Sequence, residues 1–496
     1  MKQWVKNFGR KSSLAMQRVL CLCLAATFLA VAPVHAEEIV IEVEDTINLS
    51  RIWNVMQTIL QLHVDAPSEN DLTEGAIRGM IEALNDPYTE YMTQQDYDDL
   101  FNDLDLAFYG IGAVIASDGE YVYIERVLPN SPAEEAGLQR NDKFISIDGH
   151  DAKGQSLDQV KEWIRGEEHS TVQITFERDG ERFTLDMERR QVSLPELESG
   201  LVADRIGYVL LRSFSEDADE LMAAQLNEWK AAGGLDALVL DLRYNTGGLL
   251  QTAANIAKLF VKEGILIRTR DRDGVEAAYR ISDGEDAAYP IYLLVNEYSA
   301  SASELLTGAL QDYGKATVIG TQTYGKGSVQ HIYSLSDGHY LKLTVERYLT
   351  PNGREVDQIG ITPDVLVQDD MPQLLTAFHL AGVEELELVK DRNRITINDV
   401  RVDDLLPVIE EDGKLYVHSR TLAAFAGLNI VWNEAAFAAE FSDGNGFIWS
   451  VSPDAEGSLM KEGYLFISLD TFRQAYPAFG YSGTLQQLTM TISKGR

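Results

Sequence analysis

Cysteine is almost absent from the 496 residues: Cys21 and Cys23 are the only two, and both fall within the first 36. A chain relieved of that segment has no disulfide and no thiol nucleophile, so its folding rests on packed cores. Histidine is scarce as well, with eight in all. No H-E-x-x-H occurs, His418 stands alone, and the one loosely spaced pair, His331 and His339, flanks Asp337-Gly338 and reads as hairpin surface; no metal is expected. Neither a phosphate-cradling loop nor a dinucleotide fingerprint is present, Tyr109-Gly110-Ile111-Gly112 being too short to count, so no cofactor is expected. Basic residues are few, 42 against 78 acidic, for a formal charge of −36. Such a surface repels nucleic acid and anionic membrane, which excludes nucleic acid as a partner. Val19 to Val31 is an apolar run too short for an ordinary membrane span. With Lys2, Lys6, Arg10, Lys11 and Arg18 before it and Val34-His35-Ala36 after it, the run reads as an export signal over 1–36. Its removal takes the charge to −41. The expected destination is the cell envelope or the outside; an uncleaved anchor that tethers the chain to the membrane is the alternative.

What is present reads as a multidomain α+β protein, since the length exceeds what one core supports. Residues 37–100 are helical, with Ile47, Leu49, Ile52, Trp53, Met56, Ile59 and Leu60 on one stripe and a second helix ending at Asn85-Asp86-Pro87; a helical cap or dimer contact suits them. Residues 101–190 form a β-rich domain of short runs such as IGAVIA, EYVYIERV and TVQITFER, with a hairpin signal at Asp179-Gly180. Residues 191–380 alternate strand and helix. LDALVLDLR is a nearly continuous apolar run and PIYLLVN another, as strands buried on both faces of a parallel sheet require. After Asp369-Asp370-Met371-Pro372 the pattern breaks, and 388–496 reads as a separate small α+β domain.

Three segments of the alternating region could carry chemistry. EYSASASELLTGALQDYGK places Ser299, Ser301 and Ser303 on alternate positions ahead of a helical run. Ser301-Ala302-Ser303-Glu304 fits a capping box, so helix capping and nucleophilic catalysis both stand open. TYGKGSVQ places Lys326 between two glycines, with Gln330 four residues on. A lysine serves as base near neutral pH only when buried, dry and held by a neutral partner; a surface turn is the plainer reading. A triad through His331 and Asp312 is a further arrangement. DLRYNTGGLL follows a buried strand and opens a helix, where the Gly247 and Gly248 amides favour negative charge, be it an oxyanion, a phosphate or a carboxylate.

These segments, with YLTPNGREVDQIGITPDV, resemble in content and order the carboxyl-terminal processing peptidases, or tail-specific proteases. The resemblance spans about residues 45–370. It implies an α/β Ser/Lys protease domain in which Ser301 is the nucleophile, Lys326 its base and Gln330 the third member. Gly247 or Gly248, with the Ala302 amide, would hold the oxyanion, and Asp312 would be structural support. YGIGAVI, SPAEEAGLQRNDKFISIDG and VKEWIRG resemble a PDZ domain over 101–190. Gly110, Ile111 and Gly112 would then take a substrate's C-terminal carboxylate, and Arg165 would couple the PDZ domain to the active site. The resemblance implies unfolded or C-terminally tagged proteins as substrates and a homodimer through the N-terminal helices. INDVRV, KLYVHSRTLAAFAGLNIVWNE and YLFISLDTF resemble the stalk-like domain named from the N-terminus of copper amine oxidases, without copper; a regulatory partner or cell-wall contact is its implied role, and its deletion is expected to spare cleavage. A PDZ scaffold of the envelope without catalysis is the alternative to the enzyme.

Overall fold

We describe the protein from a computed structural model that covers residues 46–493, apart from 105, 179, 336, 337, 393 and 445. The leader expected over 1–36, with both cysteines, lies outside the described residues. So do positions 37–45 and, in two expected turns, Asp179 and Asp337.

The chain divides into two compact units. The smaller gathers the N-terminal residues up to Phe101 with two later segments, Ile267–Arg280 and Gly327–Leu349. Its helices Thr46–Leu62 and Glu69–Glu82 lie where the apolar stripe put them, and the Ser68 hydroxyl caps the second by accepting from the Asp71 amide at 3.0 Å. Strands Ser328–Ser334 and Tyr340–Leu349 pair antiparallel, and Glu90–Met92 adds to the latter. His339 is therefore not plain hairpin surface. Its ring stacks on Tyr91 at 4.9 Å and its Nε2 stands 3.8 Å from Glu74, because the hairpin lies beside a strand that is distant in sequence.

The larger unit opens with the β-rich domain. Strands Ala113–Ser117, Val122–Val127, Lys143–Ile147, Thr171–Arg178 and Glu181–Glu188 form its sheet in that order. Thr171–Arg178 and Glu181–Glu188 pair antiparallel, with Arg178 opposite Glu181. Ala113–Ser117 is an edge strand, and the helix Leu157–Ile164 packs beside it with Val160 and Ile164 buried.

The alternating region builds a six-stranded sheet: β1 (Leu197–Ala203), β2 (Ile206–Leu211), β3 (Ala237–Asp241), β4 (Ile291–Val295), β5 (Ala316–Gly320) and β6 (Val365–Leu366). From β2 onward the strands are parallel; β1 closes one edge antiparallel. Every residue of β2 and β3 is buried, which is why their sequences show no alternation. Helices α1 (Ala218–Ala231), α2 (Leu250–Lys258) and α3 (Ala302–Asp312) pack in series, and α4 (Asp370–Ala381) packs on β3, β4 and β5. The loops that follow β3, β4 and β5 leave the sheet at its carboxyl edge, the usual place for sites in open parallel sheets.

The last hundred residues do not form a separate core. A single cluster of buried side chains runs from Tyr208, Val239, Leu294 and Ile319 of the sheet through Leu374 and Phe378 of α4. It continues into Leu388, Val417, Phe425, Phe472 and Phe479 of the C-terminal strands and helices. The sequence shows each strand's apolar face but not which other face covers it. The expectation that deleting residues 388–496 spares cleavage has this shared core against it. A chain ending at residue 384 should lose cooperative thermal unfolding and become sensitive to limited proteolysis, because it uncovers α4 and the sheet beneath. A sharp transition by circular dichroism would contradict the shared core.

Candidate active site

Two of the three alternating serines are committed to structure. The Ser299 hydroxyl donates to the Leu242 carbonyl at 2.8 Å and accepts from the Asn296 amide at 3.0 Å. The Ser303 hydroxyl donates to the Asn245 carbonyl at 2.8 Å. Both residues are fully buried. Ser301, between them, is only partly buried and sits at the start of α3 with φ +54° and ψ −114°. A side chain other than glycine is strained there, and such strain persists only where neighbours fix it.

The neighbours are identifiable. Asn245, in the loop after β3, accepts the Ala300 amide on its carbonyl at 3.1 Å, while its side-chain amide donates to the Leu211 carbonyl at 2.8 Å. Gly247 passes so close to the serine that a methyl group on it would stand 2.8 Å from the Ser301 Cβ and 2.9 Å from the Ala300 carbonyl. Below the turn lies Glu304, whose side chain is wholly buried. Its Oε2 accepts the amides of Ser301 at 3.0 Å and Lys326 at 2.8 Å; its Oε1 accepts the Gly325 amide at 2.7 Å and the Thr323 hydroxyl at 2.5 Å. The amides of Ser301 and Lys326 thus meet on one oxygen atom. Burial pushes the Glu304 carboxyl above its ordinary range, and the four donors pull the other way. The sequence reading assigned Glu304 to a capping box. Its reach across to the lysine loop had no signal in the sequence, since loops that meet in space need not be near in the chain.

The lysine loop is held from its other side by residues 356–361. The Gln358 amide donates to the Gly325 carbonyl at 2.7 Å and the Ile361 amide to the Thr323 hydroxyl at 2.6 Å. Gly325 has φ +90°, and a Cβ there would meet the Ile359 amide nitrogen at 2.9 Å, so only glycine fits. Gln330 belongs to the smaller unit, where its amide donates to the hydroxyls of Ser328 at 2.8 Å and Thr344 at 3.2 Å.

The two glycines differ. The Gly247 amide donates to the Asn245 side-chain carbonyl at 2.9 Å. The Gly248 amide has no acceptor among the described residues: Gly248 forms a parallel bridge with Phe214 in which the bonds run through its neighbours Gly247 and Leu249. Ala302 is the first residue of α3, where an amide has no intrahelical partner. Asp312, at the far end of α3, is engaged elsewhere. It pairs with Arg354 at 2.6 Å and accepts the Asn352 amide at 2.8 Å, which anchors the TPNGRE turn and leaves the His331 triad without its acid. In the β-rich domain, a Cβ on Gly112 would fall 2.1 Å from the Ser131 Cβ, and the Ile111 and Gly112 carbonyls accept from Ala133 and Leu128. Arg165 ends the helix Leu157–Ile164 and lays its guanidinium 5.4 Å from the centre of the Phe108 ring.

Glu304→Gln keeps the shape but turns an NH₂ toward amide donors. It should lower stability by about 3 kcal/mol or more. Hydrogen exchange at Gly325 and Lys326 should speed up while distant strands keep their protection. Unchanged exchange at those two amides would mean that the carboxylate is not the tether.

Comparison with known proteins gives the family. Residues 205–367 match peptidase family S41, residues 123–178 match a PDZ domain, and residues 31–96 match the N-terminal domain of the activating protease CtpB. The chain is 34% identical over 361 residues to the carboxy-terminal processing protease CtpB of Bacillus subtilis, covering 71% of this chain and 74% of that one. It is 35% identical over 335 residues to a probable CtpA-like serine protease of Staphylococcus aureus, covering 67% of each. Among solved structures, the photosystem II D1 C-terminal processing protease is 29% identical, with a TM-score of 0.41 over 65% of this chain and 94% of that one. The protein belongs to peptidase family S41 and is a carboxyl-terminal processing serine protease with a PDZ domain.

Proposed function

We propose that the protein is an exported endopeptidase that cleaves unfolded or tail-bearing proteins by acyl transfer, with Ser301 as nucleophile, Lys326 as its base and Gln330 as the residue that orients the amine. The observation that carries the reading is the shared Glu304 oxygen, which holds the backbones of Ser301 and Lys326 side by side. Lys326 takes the hydroxyl proton as Ser301 adds to the peptide carbonyl. The amine then protonates the leaving nitrogen and afterwards activates water to release the acyl group.

The negative oxygen formed in that addition needs donors fixed in advance. The uncommitted amides of Gly248 and Ala302 support this pair over Gly247, whose amide is already bonded to Asn245. Gly247 serves instead by having no side chain beside Ser301. Asp312 fits structural support.

Substrate capture falls to the edge strand Ala113–Ser117, on which an extended C-terminal tail can add as a further strand with its carboxylate at Gly110, Ile111 and Gly112. Arg165, at the end of the helix that packs beside that strand, would report a bound tail to the active site. Exposed Leu49, Ile52, Trp53 and Val55 on the first helix support a homodimer contact there. Export rests on the basic, apolar and small-residue pattern of residues 1–36. The scaffold reading loses its footing in a chain that belongs to a protease family.

Cleavage of a reduced, unfolded protein by the mature chain tests the assignment. Ser301→Ala and Lys326→Ala should each lower the rate by more than about 10³-fold with circular dichroism unchanged. A folded Lys326→Ala enzyme that keeps its rate would remove lysine from the mechanism.

A further inference from the structure

The loop that carries the oxyanion glycines is gripped from outside the protease fold. Arg243, two residues after β3 begins its exit from the sheet, has a side chain only 4% exposed. Its guanidinium forms a fork with Asp241, at 2.9 Å to Oδ1 and 2.7 Å to Oδ2. The remaining nitrogen donates to the Asp370 carbonyl at 2.7 Å and to the Asp404 carboxylate at 3.1 Å. Asp404 comes from the C-terminal module, and its side chain is also 4% exposed. Its other oxygen accepts the Leu405 amide at 2.8 Å.

The segment that delivers Asp404 is itself pinned. Arg401 pairs with Glu125 of the PDZ domain at 3.2 Å, and Asp403 pairs with Arg212 at 2.6 Å. Arg212 also meets Glu198, which binds Arg126 of the PDZ domain. From Arg243 the chain runs directly to Asn245, whose carbonyl holds Ala300 and Ser303 on either side of Ser301. Tyr244, between them, has φ +61°, bonds Asp370 through its hydroxyl and stacks on Tyr298. A loop so strained keeps its shape only while its anchors hold.

We propose that Asp404, supplied by the C-terminal module, is a positioning residue for catalysis: it holds the Arg243 guanidinium and, through residues 243–248, the turn that carries Ser301 and the oxyanion amides. The inference rests on the reading of Ser301 as the nucleophile. It makes the C-terminal module part of the catalytic apparatus rather than an appended binding domain.

The device is sensitive to pH. The groups that face Asp404 are Arg243, Asp241, Asp370, Tyr208 and Tyr244. Burial pushes the Asp404 carboxyl up to about 6, with Arg243 and the Leu405 amide opposing it and Asp370 adding to it. Protonation below that value removes one of the two carboxylate charges that hold Arg243, and leaves the Asp241 fork without its counterpart from the C-terminal module. The fold moves in the opposite sense. An acid whose pKa is raised on folding binds more protons in the native state than in the unfolded one, so this group's contribution to stability falls as pH rises from about 4 to about 6. Activity and stability therefore part company across that window.

The experiment compares the full mature chain with Asp404→Asn, which keeps the size and one acceptor but no charge, and with Ser301→Ala. Asp404→Asn should lower kcat at pH 8 by about tenfold with KM within about twofold, since small misplacements near a reacting centre cost rate rather than binding. In the parent, log kcat should fall by about one unit per pH unit while a single base titrates, and more steeply below about 6. The variant should keep the single slope throughout. If Asp404→Asn fails to fold, the parent's own limb decides: steepening at constant circular dichroism supports the proposal, and a single slope overturns it. A variant with the parent's kcat beside an inactive Ser301→Ala overturns this inference alone. An active Ser301→Ala overturns the site reading and this inference with it.

Discussion

One buried carboxylate carries the architecture of this site. Glu304 accepts four donors from three stretches of chain: the Ser301 turn, the lysine loop, and Thr323 at the exit from β5. Removing a carboxylate from water is costly, and only a full set of donors offsets it. Once that cost is met, the groups around it have little freedom. The strained Ser301 turn, the glycine-flanked lysine and the brace of residues 356–361 all depend on the same two oxygen atoms. The precision comes from a polar network sealed beneath the carboxyl edge of a parallel sheet.

Much of this was legible in the sequence, for physical reasons. Strands buried on both faces read as nearly continuous apolar runs, so LDALVLDLR and PIYLLVN were placed correctly, and the Asp179-Gly180 signal pointed to the pairing of Thr171–Arg178 with Glu181–Glu188. The serine, the lysine and the two glycines were visible as candidates, but their own residues left capping, a surface turn and an anion site open; the catalytic roles came from the resemblance to the carboxyl-terminal processing peptidases. What could not be read was the pairing of loops across space. Glu304 appeared as half of a capping box, because sequence shows its own helix and not the loop it meets. The two glycines looked interchangeable, and only the bond from Gly247 to Asn245 separates them. His339 looked like surface, because the strand it stacks on is more than two hundred residues away.

The C-terminal module shows the same limit on a larger scale. The alternation of strand and helix breaks where it begins, so it read as an independent domain. The structure instead continues one apolar core from the protease sheet through α4 into that module, and a row of ion pairs runs along the seam. Buried and half-buried ion pairs add little net stability on their own. They do fix register, and here the register decides where Asp403 and Asp404 fall relative to Arg212 and Arg243.

The most direct test of the central claim, that Ser301 and Lys326 form one reacting pair, is to trap the covalent intermediate. The mature enzyme would be mixed with an activated ester, quenched in acid after a fraction of a turnover, digested, and the acylated residue located by tandem mass spectrometry. The account predicts a single acyl group on Ser301 that disappears in Lys326→Ala. Acylation of another residue, or equal labelling of Ser301 with the lysine removed, would contradict it.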